Sequence, residues 1–458
     1  MLLNRPAARG KELEASPVPV SPFRRRRGEK IGLSARKTHA LKRNRRSIGA
    51  AAFPSSRTRV IERVWSREIG KKCLHDIPHE YVFQSEIVPD HLPYALNERE
   101  IRAPALEQRI DKIFAGAWVD ENSVLIGSKC NKLLYLNTIT SKYVNVPLIK
   151  YELKPRRPLA ENCGTHTITL NPSGDLVCSG SYDPQDMALY RLPSLDPVAL
   201  LHGHSDWVFG SAWIDDNTLI TGSRDRTVKV WKIDAGLARG ESSSQTPSFC
   251  ETTMTYTGIP HITCVESKNE HTNKIRDIRT NSTTKEFGSL AHDNTLKIWD
   301  SQRVVPILSK RLDHPVEAVC LAVSDIHNVY VVGSRDYISL LDPRTREFRS
   351  YESQDKGKGV RSLSFYQHMI TVGGGGGLLS FFDIRKNAFM DIVDEDSGEV
   401  DKGLYVGDGV RFEASSNIYA NDTENAVYTH AYDPTGTRLL VAGGPLIYGS
   451  SGFYCAVW

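Results

Sequence analysis

The 458-residue sequence has no apolar run of the roughly 18–20 residues that a membrane-spanning helix requires. Its first residues, MLLNRPAARG, also lack the apolar core of a secretory signal peptide. The eight cysteines form no Cys-x-x-Cys pair, and most lie in apolar stretches such as AVCLAV, where cysteine behaves as a small hydrophobic residue. These absences favour a reduced, intracellular protein that does not span a membrane.

Motifs of catalysis are absent as well. The sequence has no Gly-x-Ser-x-Gly, no phosphate-binding loop and no His/Cys cluster with metal-ligand spacing. Residues 373–377 are five consecutive glycines, but no helix pattern and no Lys-Ser/Thr follow them. A close backbone approach inside a repeat therefore explains this run better than phosphate binding does. We expect a binding module with no catalytic residue, metal or cofactor.

Charge is distributed unevenly along the chain. The net charge is +4, yet residues 1–60 hold 16 lysines and arginines against three glutamates, so the remainder carries −9. Residues 1–52 are poor in large apolar residues, which predicts a disordered basic arm. Its basic clusters at 24–27 and 42–46 fit a nuclear import signal, a contact to nucleic-acid phosphates or a solvated tail. No aromatic residue lies between the clusters, which disfavours nucleic acid.

Residues 53–72 predict a short amphipathic helix. The apolar residues share one stripe, whereas Arg59, Arg63 and Arg67 lie on another side. The stripe consists of Val60, Ile61, Val64, Trp65 and Ile69. Such a helix either packs on its own domain or docks on a partner.

From about residue 110 the chain reads as short strands that repeat. The clearest copy runs from HGHSDWVF to SRDRTVKVW over residues 202–231, and AHDNTLKIWD at 291–300 is a second. This pattern resembles WD repeats, each of which forms one four-stranded propeller blade. Insertions lie near 150–162, 236–272 and 386–425. Seven copies align on one position of the first strand: Trp118, Leu170, Trp213, Thr280, Leu321, Phe365 and Tyr432.

The alignment predicts an all-β fold, a seven-bladed propeller over residues 73–458. The last copy ends after three strands, so a segment within 73–108 is expected to supply the fourth and close the ring. In the clearest copy, His204, Asp225, Thr227 and Trp231 are expected to form the buried polar network of a blade and to be structural.

Two positions of each copy reach the same end of the propeller: four residues before the aligned position, and the residue after the second strand. They include His166 and His292, with Lys274 nearby, and the cations Lys129, Arg224, Arg276, Arg335 and Arg361. Such a ring is either neutralised, with Asp225 and Asp336 as candidate partners, or kept for an anionic ligand. Because arginine forks match carboxylates, an acidic peptide end fits better than a duplex. The acidic segment 391–401 either shields this ring or has no role.

At the opposite end of the propeller, two third strands end in Asp-x-Arg, at residues 342–344 and 383–385. With this motif stand the less common strings IGSKCN (126–131), LPSLDPV (192–198), RSLSFY (361–366) and NAVYTH (425–430). On these residues the chain resembles the cullin-4-associated factor 12 family of WD-repeat substrate receptors.

The resemblance implies a non-catalytic receptor that presents proteins ending in two glutamates to the cullin-4 RING ubiquitin ligase. It implies that the N-terminal helix, with Asp383 and Arg385, docks on the damaged-DNA-binding adaptor. It places the acidic tail on Lys129, His166, Arg224, Lys274, Arg276 and Arg361. Arg335 belongs to the charge ring but not to the family pattern.

An alternative function is a nuclear scaffold that binds nucleic acid or chromatin through the basic arm. For the receptor we expect a location in the nucleus and the cytoplasm, because the basic clusters fit import.

The predicted helix generates a first test. Trp65→Ala removes the largest apolar side chain of the stripe, so adaptor binding should weaken by about 2–4 kcal/mol, as for interface hot spots. Titration of the adaptor with the full-length chain measures the loss. Undiminished binding by a chain that lacks residues 1–72 would exclude the helix from docking.

Overall fold

The computed structural model describes the following residues: 88–96, 98–101, 110–151, 164–234, 236, 248–250, 255–393, 400–412, 424–447 and 450–458. The predicted basic arm (1–52) and docking helix (53–72) lie outside the described residues. No described helix is long and apolar enough to cross a membrane. Within the same residues, no group of three or more His, Cys, Asp or Glu side chains is arranged to hold a metal.

The described chain begins with helix α1 (Val88–Ala95) and strand β1 (Arg99–Glu100). Pro89, the second residue of α1, is tolerated because first-turn amides have no partner within the helix. Leu92 and Leu96 are buried against blades 6 and 7, which are defined below.

Seven antiparallel sheets follow, and each is one blade whose first strand is innermost. Blade 1 comprises β2 (Ile113–Trp118), β3 (Ser123–Ser128), β4 (Leu133–Asn137) and β5 (Tyr143–Val146), and blade 2 comprises β7 (Ile168–Leu170), β8 (Leu176–Gly180), β9 (Met187–Arg191) and β10 (Asp196–Leu201). Blade 3 comprises β11 (Val208–Asp215), β12 (Thr218–Ser223), β13 (Val228–Lys232) and β17 (Glu266–Lys268). Blade 4 comprises β18 (Ile275–Asn281), β19 (Glu286–Ala291), β20 (Thr295–Asp300) and β21 (Val305–Arg311).

Blades 5 to 7 complete the ring. Blade 5 comprises β22 (Cys320–Ser324), β23 (Val329–Gly333), β24 (Tyr337–Asp342) and β25 (Glu347–Glu352). Blade 6 comprises β26 (Val360–Tyr366), β27 (Met369–Gly374), β28 (Leu378–Asp383) and β29 (Ala388–Phe389). Blade 7 comprises β34 (Asn425–Tyr432), β35 (Leu439–Pro445), β36 (Ser451–Val457) and β1. The seven-bladed propeller predicted from the repeats is confirmed.

Strand β1 closes the ring. Arg99 pairs with Val457 and Glu100 with Ala456, in antiparallel register. The fourth strand of the last blade therefore comes from the segment before the first blade, as the incomplete last repeat predicts. Because β1 and β36 belong to one sheet, backbone pairing ties the start of the propeller to its end.

The insertions add short strands on the outer side of the blades. Between the third and fourth strands of blade 3 they are β14 (Ser248–Cys250), β15 (Thr255–Thr257) and β16 (His261–Ile262). Strand β15 pairs in parallel with β6 (Leu148–Ile149), and β16 pairs in parallel with β10. After blade 6 they are β30 (Ile392–Val393), β31 (Val400–Asp401), β32 (Leu404–Tyr405) and β33 (Val410–Phe412). Strand β32 pairs with β28 and β33 with β36, so this segment links blades 6 and 7.

The hydrophobic core is divided among the blade interfaces. Seven clusters of buried residues occur in the described chain, one between each pair of adjacent blades. Between blades 7 and 1, for example, Ile113 and Trp118 pack with Leu440 and Phe453. Strand residues alternate faces, so both faces of each sheet contribute to a core.

Blade 3 contains the predicted polar network. His204 Nδ1 lies 2.8 Å from Asp225 Oδ2, and its Nε2 lies 2.7 Å from Thr221 Oγ1. Trp231 Nε1 donates to the same Thr221 oxygen at 2.8 Å, and Thr227 Oγ1 donates to Asp225 Oδ1 at 2.6 Å. Burial opposes ionisation of Asp225, but hydrogen bonds with His204 and Thr227 outweigh it and lower the pKa of this carboxyl.

The five-glycine run allows a close backbone approach, as expected. Gly376 N–H donates to Asp355 Oδ2 at 2.6 Å. A Cβ on Gly374 would lie 2.1 Å from that oxygen, and a Cβ on Gly375 would lie 2.0 Å from the carbonyl oxygen of Lys358. The glycines thus admit the loop of residues 353–359 against the end of β27.

The network of blade 3 gives a stability prediction. Asp225→Ala leaves His204, Thr227 and the amide of Ser205 without their acceptor, so the free energy of unfolding should fall by about 2–4 kcal/mol. Urea unfolding measures it. Asp313→Ala is the control, because Asp313 is exposed, and its effect should stay within about 0.5 kcal/mol. Equal stability of the two variants would contradict the structural role.

Candidate functional site

A β-bulge occurs near the start of five innermost strands. The pairing register skips one residue in each of them: Phe114, Phe209, Arg276, Arg361 and Tyr428. A bulged residue is left out of the ladder and its side chain is re-aimed. Each of them stands four residues before the aligned position of its repeat.

The corresponding residues of blades 2 and 5 are His166 and Glu317, which precede the first strands β7 and β22. Together with the five bulged residues they form a set of seven, one from each blade, which we call the row. Six of the seven residues line one cavity of about 700 Å³, which we call the mouth: Phe114, His166, Phe209, Arg276, Arg361 and Tyr428. Only Glu317 of this set is outside the lining.

The residues after the second strands lie beside this row because of a repeated backbone hydrogen bond. The amides of Lys129 and Arg224 donate to the carbonyls of Lys112 and Trp207, each at 2.8 Å, and His292 donates to Lys274 at 2.8 Å. In these three blades the acceptor stands two residues before the member of the row, which is Phe114, Phe209 or Arg276. The two positions identified in the sequence therefore reach the same end of the propeller.

One side of the mouth is aromatic. The Tyr428 and Phe114 ring centroids are 5.2 Å apart, Phe114 stacks on His166 at 4.7 Å, and His166 meets Phe209 at 4.9 Å. The guanidinium of Arg276 lies 4.8 Å from the Phe209 ring centroid. A continuous aromatic wall over blades 7, 1, 2 and 3 thus adjoins a cation of blade 4.

Among the predicted ligand-binding residues, Lys129, His166, Arg276 and Arg361 line the mouth. Arg224 and Lys274 are outside the lining, but Lys274 interacts electrostatically with Arg276 of the mouth and with Arg224. Arg335 is exposed and also outside the lining.

Three cations face acidic side chains of the same chain. Lys129 Nζ lies 2.9 Å from Asp111, Arg361 Nη2 lies 3.2 Å from Glu317, and Arg224 Nε lies 3.6 Å from Asp206. The partners proposed from sequence neighbourhood, Asp225 and Asp336, are wrong. The His204 network occupies Asp225, and Asp336 Oδ1 accepts the amide of Gly357 at 2.8 Å.

Lys274 has a different environment. Burial, together with the like charges of Arg276 and Arg224, lowers the pKa of Lys274. Burial and the charges of Lys274 and Arg276 also lower the pKa of His292. In the described part of the chain, no acidic side chain forms an ion pair with Lys274. Arg276 and Arg224 therefore repel Lys274. We call Lys274, Arg276 and Arg224 the cationic corner, and such a group of like charges favours a nearby anion.

Sequence reasoning missed Lys112. This side chain is only 6% exposed, lines the mouth and donates from Nζ to the carbonyl of Ile447 at 3.1 Å. Burial and the charge of Lys129 lower its pKa. Lys112 stands two residues before Phe114, just as Lys274 stands two residues before Arg276. The repeat alignment therefore could have predicted Lys112 as well.

Asp383 and Arg385 lie at the other end of blade 6. Asp383 pairs with Met369, at the start of β27, whereas the end of β27 reaches the mouth. The buried Asp383 carboxylate holds Arg385 through Nη2 at 2.9 Å and Nε at 3.2 Å, and leaves the Arg385 side chain 41% exposed. Asp342 holds Arg344 in the same way in blade 5. The helix residues Val60, Ile61, Val64, Trp65 and Ile69 lie outside the described residues.

The described ends of the acidic segment are not at the mouth. Asp391 follows the outer strand of blade 6, and its carbonyl accepts the hydroxyl of Tyr94 in α1 at 3.0 Å. Ile392 packs with Leu92 between blades 6 and 7. Residues 394–399 lie outside the described residues.

The seven four-stranded blades and the His–Asp–Trp network define a WD-repeat β-propeller, which has a cation-bearing cavity at one end. Residues 92–458 match the family described as DDB1- and CUL4-associated factor 12 beta propeller, and the chain belongs to this family.

Partial similarity extends to other WD-repeat proteins. The chain is 33% identical to a ribosome biogenesis protein WDR12 homolog of Culex quinquefasciatus, over 23% of this chain and 29% of that protein. It is 23% identical to the homolog of Drosophila pseudoobscura pseudoobscura, over 40% of this chain and 51% of that protein. The chain thus covers about half or less of these relatives.

His430, which also lines the mouth, gives a pH prediction. Ser362 Oγ donates to the Val427 carbonyl and lies 2.8 Å from His430 Nδ1, so Nδ1 donates to Ser362. Burial lowers the pKa of His430 to about 3. Between about pH 6.5 and 3 the unfolded chain therefore binds a proton that the folded chain refuses, and stability falls as pH falls.

In His430→Gln this contribution is absent. The free energy of unfolding should then depend less steeply on pH, by up to about 1.4 kcal/mol per pH unit between pH 6 and 4. Urea unfolding of both chains at these two pH values provides the measurement. Parallel profiles would show that His430 titrates normally.

Proposed function

We propose that this chain is a non-catalytic substrate receptor of a cullin-4 RING ubiquitin ligase, and that its mouth binds protein C-termini ending in two glutamates. Family membership supports the ligase, because the family description includes DDB1 and CUL4. The cationic corner supports the acidic substrate: the charges of Arg276 and Arg224 help to lower the pKa of Lys274, and an anion between the three would relieve this repulsion.

The number of charges fits such a tail. A C-terminal diglutamate has three carboxylates, and each one needs a cation or several donors when it leaves water. Lys274 and Arg276 offer one such position, and Lys129 and Arg361 offer others from blades 1 and 6. The aromatic wall beside Arg276 can cover the hydrocarbon stems of the glutamates. An internal Glu-Glu lacks the third carboxylate, so the tail would be preferred at a chain end.

The opposite end of the propeller would dock on the ligase adaptor. Arg385 is held in place by a buried carboxylate and remains 41% exposed, which suits an arginine anchor at an interface. The predicted helix at residues 53–72 would add an apolar stripe. On this proposal the two ends of the propeller have separate partners, and the basic arm directs the receptor to the nucleus as well as the cytoplasm.

A second candidate function is a nuclear scaffold that binds nucleic acid through the basic arm. The names of the partial relatives, which are ribosome biogenesis proteins, favour it. Neutralising many phosphates makes affinity fall steeply with salt. Titration with a nucleic-acid duplex at two salt concentrations separates this function from tail binding.

Titration of the full-length chain with short peptides tests the substrate. A peptide ending in Glu-Glu should bind, its C-terminal amide should bind more weakly, and a peptide ending in Lys-Lys should not bind. Arg276→Glu should cost about 2–5 kcal/mol, because it reverses a charge in the mouth. Arg224→Glu should cost about 1 kcal/mol, since the Arg224 side chain is 47% exposed.

Arg335→Glu is the matched control, because Arg335 lies at the same end of the propeller but outside the mouth. It changes the net charge equally and should leave binding unchanged. An equal loss of affinity in Arg335→Glu and Arg276→Glu would show that the change in net charge, and not the position of Arg276 in the mouth, weakens binding. Equal affinity for the acid and its amide would overturn C-terminal recognition.

A further inference from the structure

The three acids that face cations near the mouth are held differently. Asp111 accepts the amides of Lys112 and Gly452, at 2.9 Å and 3.3 Å. Asp206 accepts the amide of Trp207 at 2.8 Å. Moving either carboxylate would leave a backbone amide without its acceptor, which is costly where water is excluded. These two acids are therefore fixed parts of the fold.

Glu317 has no such anchor. Among the described residues, its carboxylate has one partner, Arg361 Nη2 at 3.2 Å, and its side chain is 46% exposed. Swinging this carboxylate into solvent therefore breaks a single half-exposed ion pair, which is a weak interaction. The carboxylate can leave without disturbing its surroundings.

The backbone beneath Glu317 is fixed. The carbonyl of Val316 accepts the amide of Arg335 at 2.8 Å, and the amide of Ala318 donates to Pro315 at 3.4 Å. Glu317 itself has a positive φ of 54°, a conformation that non-glycine residues seldom adopt outside tight turns. The turn thus holds the side chain at one place while leaving its carboxylate free to move.

Arg361 stays in place when Glu317 leaves. Its Nη2 also donates to the carbonyl of Lys358 at 3.1 Å, and its side chain is only 20% exposed. Arg361 lines the mouth, whereas Glu317 does not. Glu317 also stands at the repeat position that Arg276 and Arg361 occupy in their own blades, and it is the acidic member of that row.

We propose that Glu317 is a displaceable carboxylate: it occupies Arg361 in the empty mouth, and a carboxylate of the bound peptide replaces it. This inference rests on the proposed function. Glu317 then determines specificity, because only a ligand that brings its own carboxylate can take Arg361 over. The net binding free energy of a ligand carboxylate is then the difference between its own ion pair with Arg361 and the Glu317–Arg361 ion pair that it replaces.

Glu317→Gln tests the proposal. It keeps the size of the side chain and removes the competing charge, so a peptide ending in Glu-Glu should bind about threefold to tenfold more tightly. Glu352→Gln is the matched control. Glu352 is in the same blade, is exposed and pairs with Lys356 away from the mouth, and its removal changes the net charge equally. This variant should bind as the unaltered chain does.

A double substitution tests the mechanism. In an Arg361→Gln background, Glu317→Gln should give no further gain, because the two carboxylates no longer compete for a cation. A gain that persists in this background overturns the proposal. Unchanged or weaker binding by Glu317→Gln, or an equal gain in Glu352→Gln, also overturns it. Thermal unfolding confirms that each variant is folded.

The two proposals fail differently. If the unaltered chain binds no acidic peptide, and Glu317→Gln does not bind one either, the proposed function is wrong. If the unaltered chain binds the peptide and Glu317→Gln gains nothing, only the displacement by Glu317 is wrong.

Discussion

Closure of the ring is the interaction on which the remaining contacts depend. Arg99 and Glu100 pair with Val457 and Ala456, and Trp458 and Leu439 exchange amide hydrogen bonds beside them. A closed ring places every blade between two neighbours, so each blade buries both of its faces. If this junction opened, the cluster between blades 7 and 1 would lose its packing, and the burial of its apolar residues would be lost with it.

The same closure makes the mouth. Phe114 and Tyr428 are far apart in the sequence, yet their rings meet at 5.2 Å because blades 1 and 7 are adjacent. The bulges then turn one side chain in each of five blades towards a common axis. Without the bulge, Arg276 and Arg361 would stay in the pleat and alternate with the residues that pack between blades. A small backbone irregularity, repeated around a circle, thus produces a site.

The electrostatics of the mouth follow from how its acids are held. Asp111 and Asp206 are anchored by backbone amides and keep Lys129 and Arg224 partly neutralised. Within the cationic corner, Lys274 has less compensation, because no described acid forms an ion pair with it. The fixed acids therefore limit self-repulsion in the propeller, and on the proposed function the corner attracts the anionic ligand.

The sequence by itself determined the propeller, its blade count and the row of residues around the mouth. Repeats impose the same local geometry at each copy, so equivalent positions of Phe114, Arg276 and Arg361 had to reach the same end. Only the tertiary structure decided the ion pairs. Asp225 follows Arg224 directly, yet it bonds to His204, because the turn between β12 and β13 places its carboxylate against His204 and Thr227. Which charged residues pair depends on where their side chains point in the folded chain, and sequence separation does not predict this.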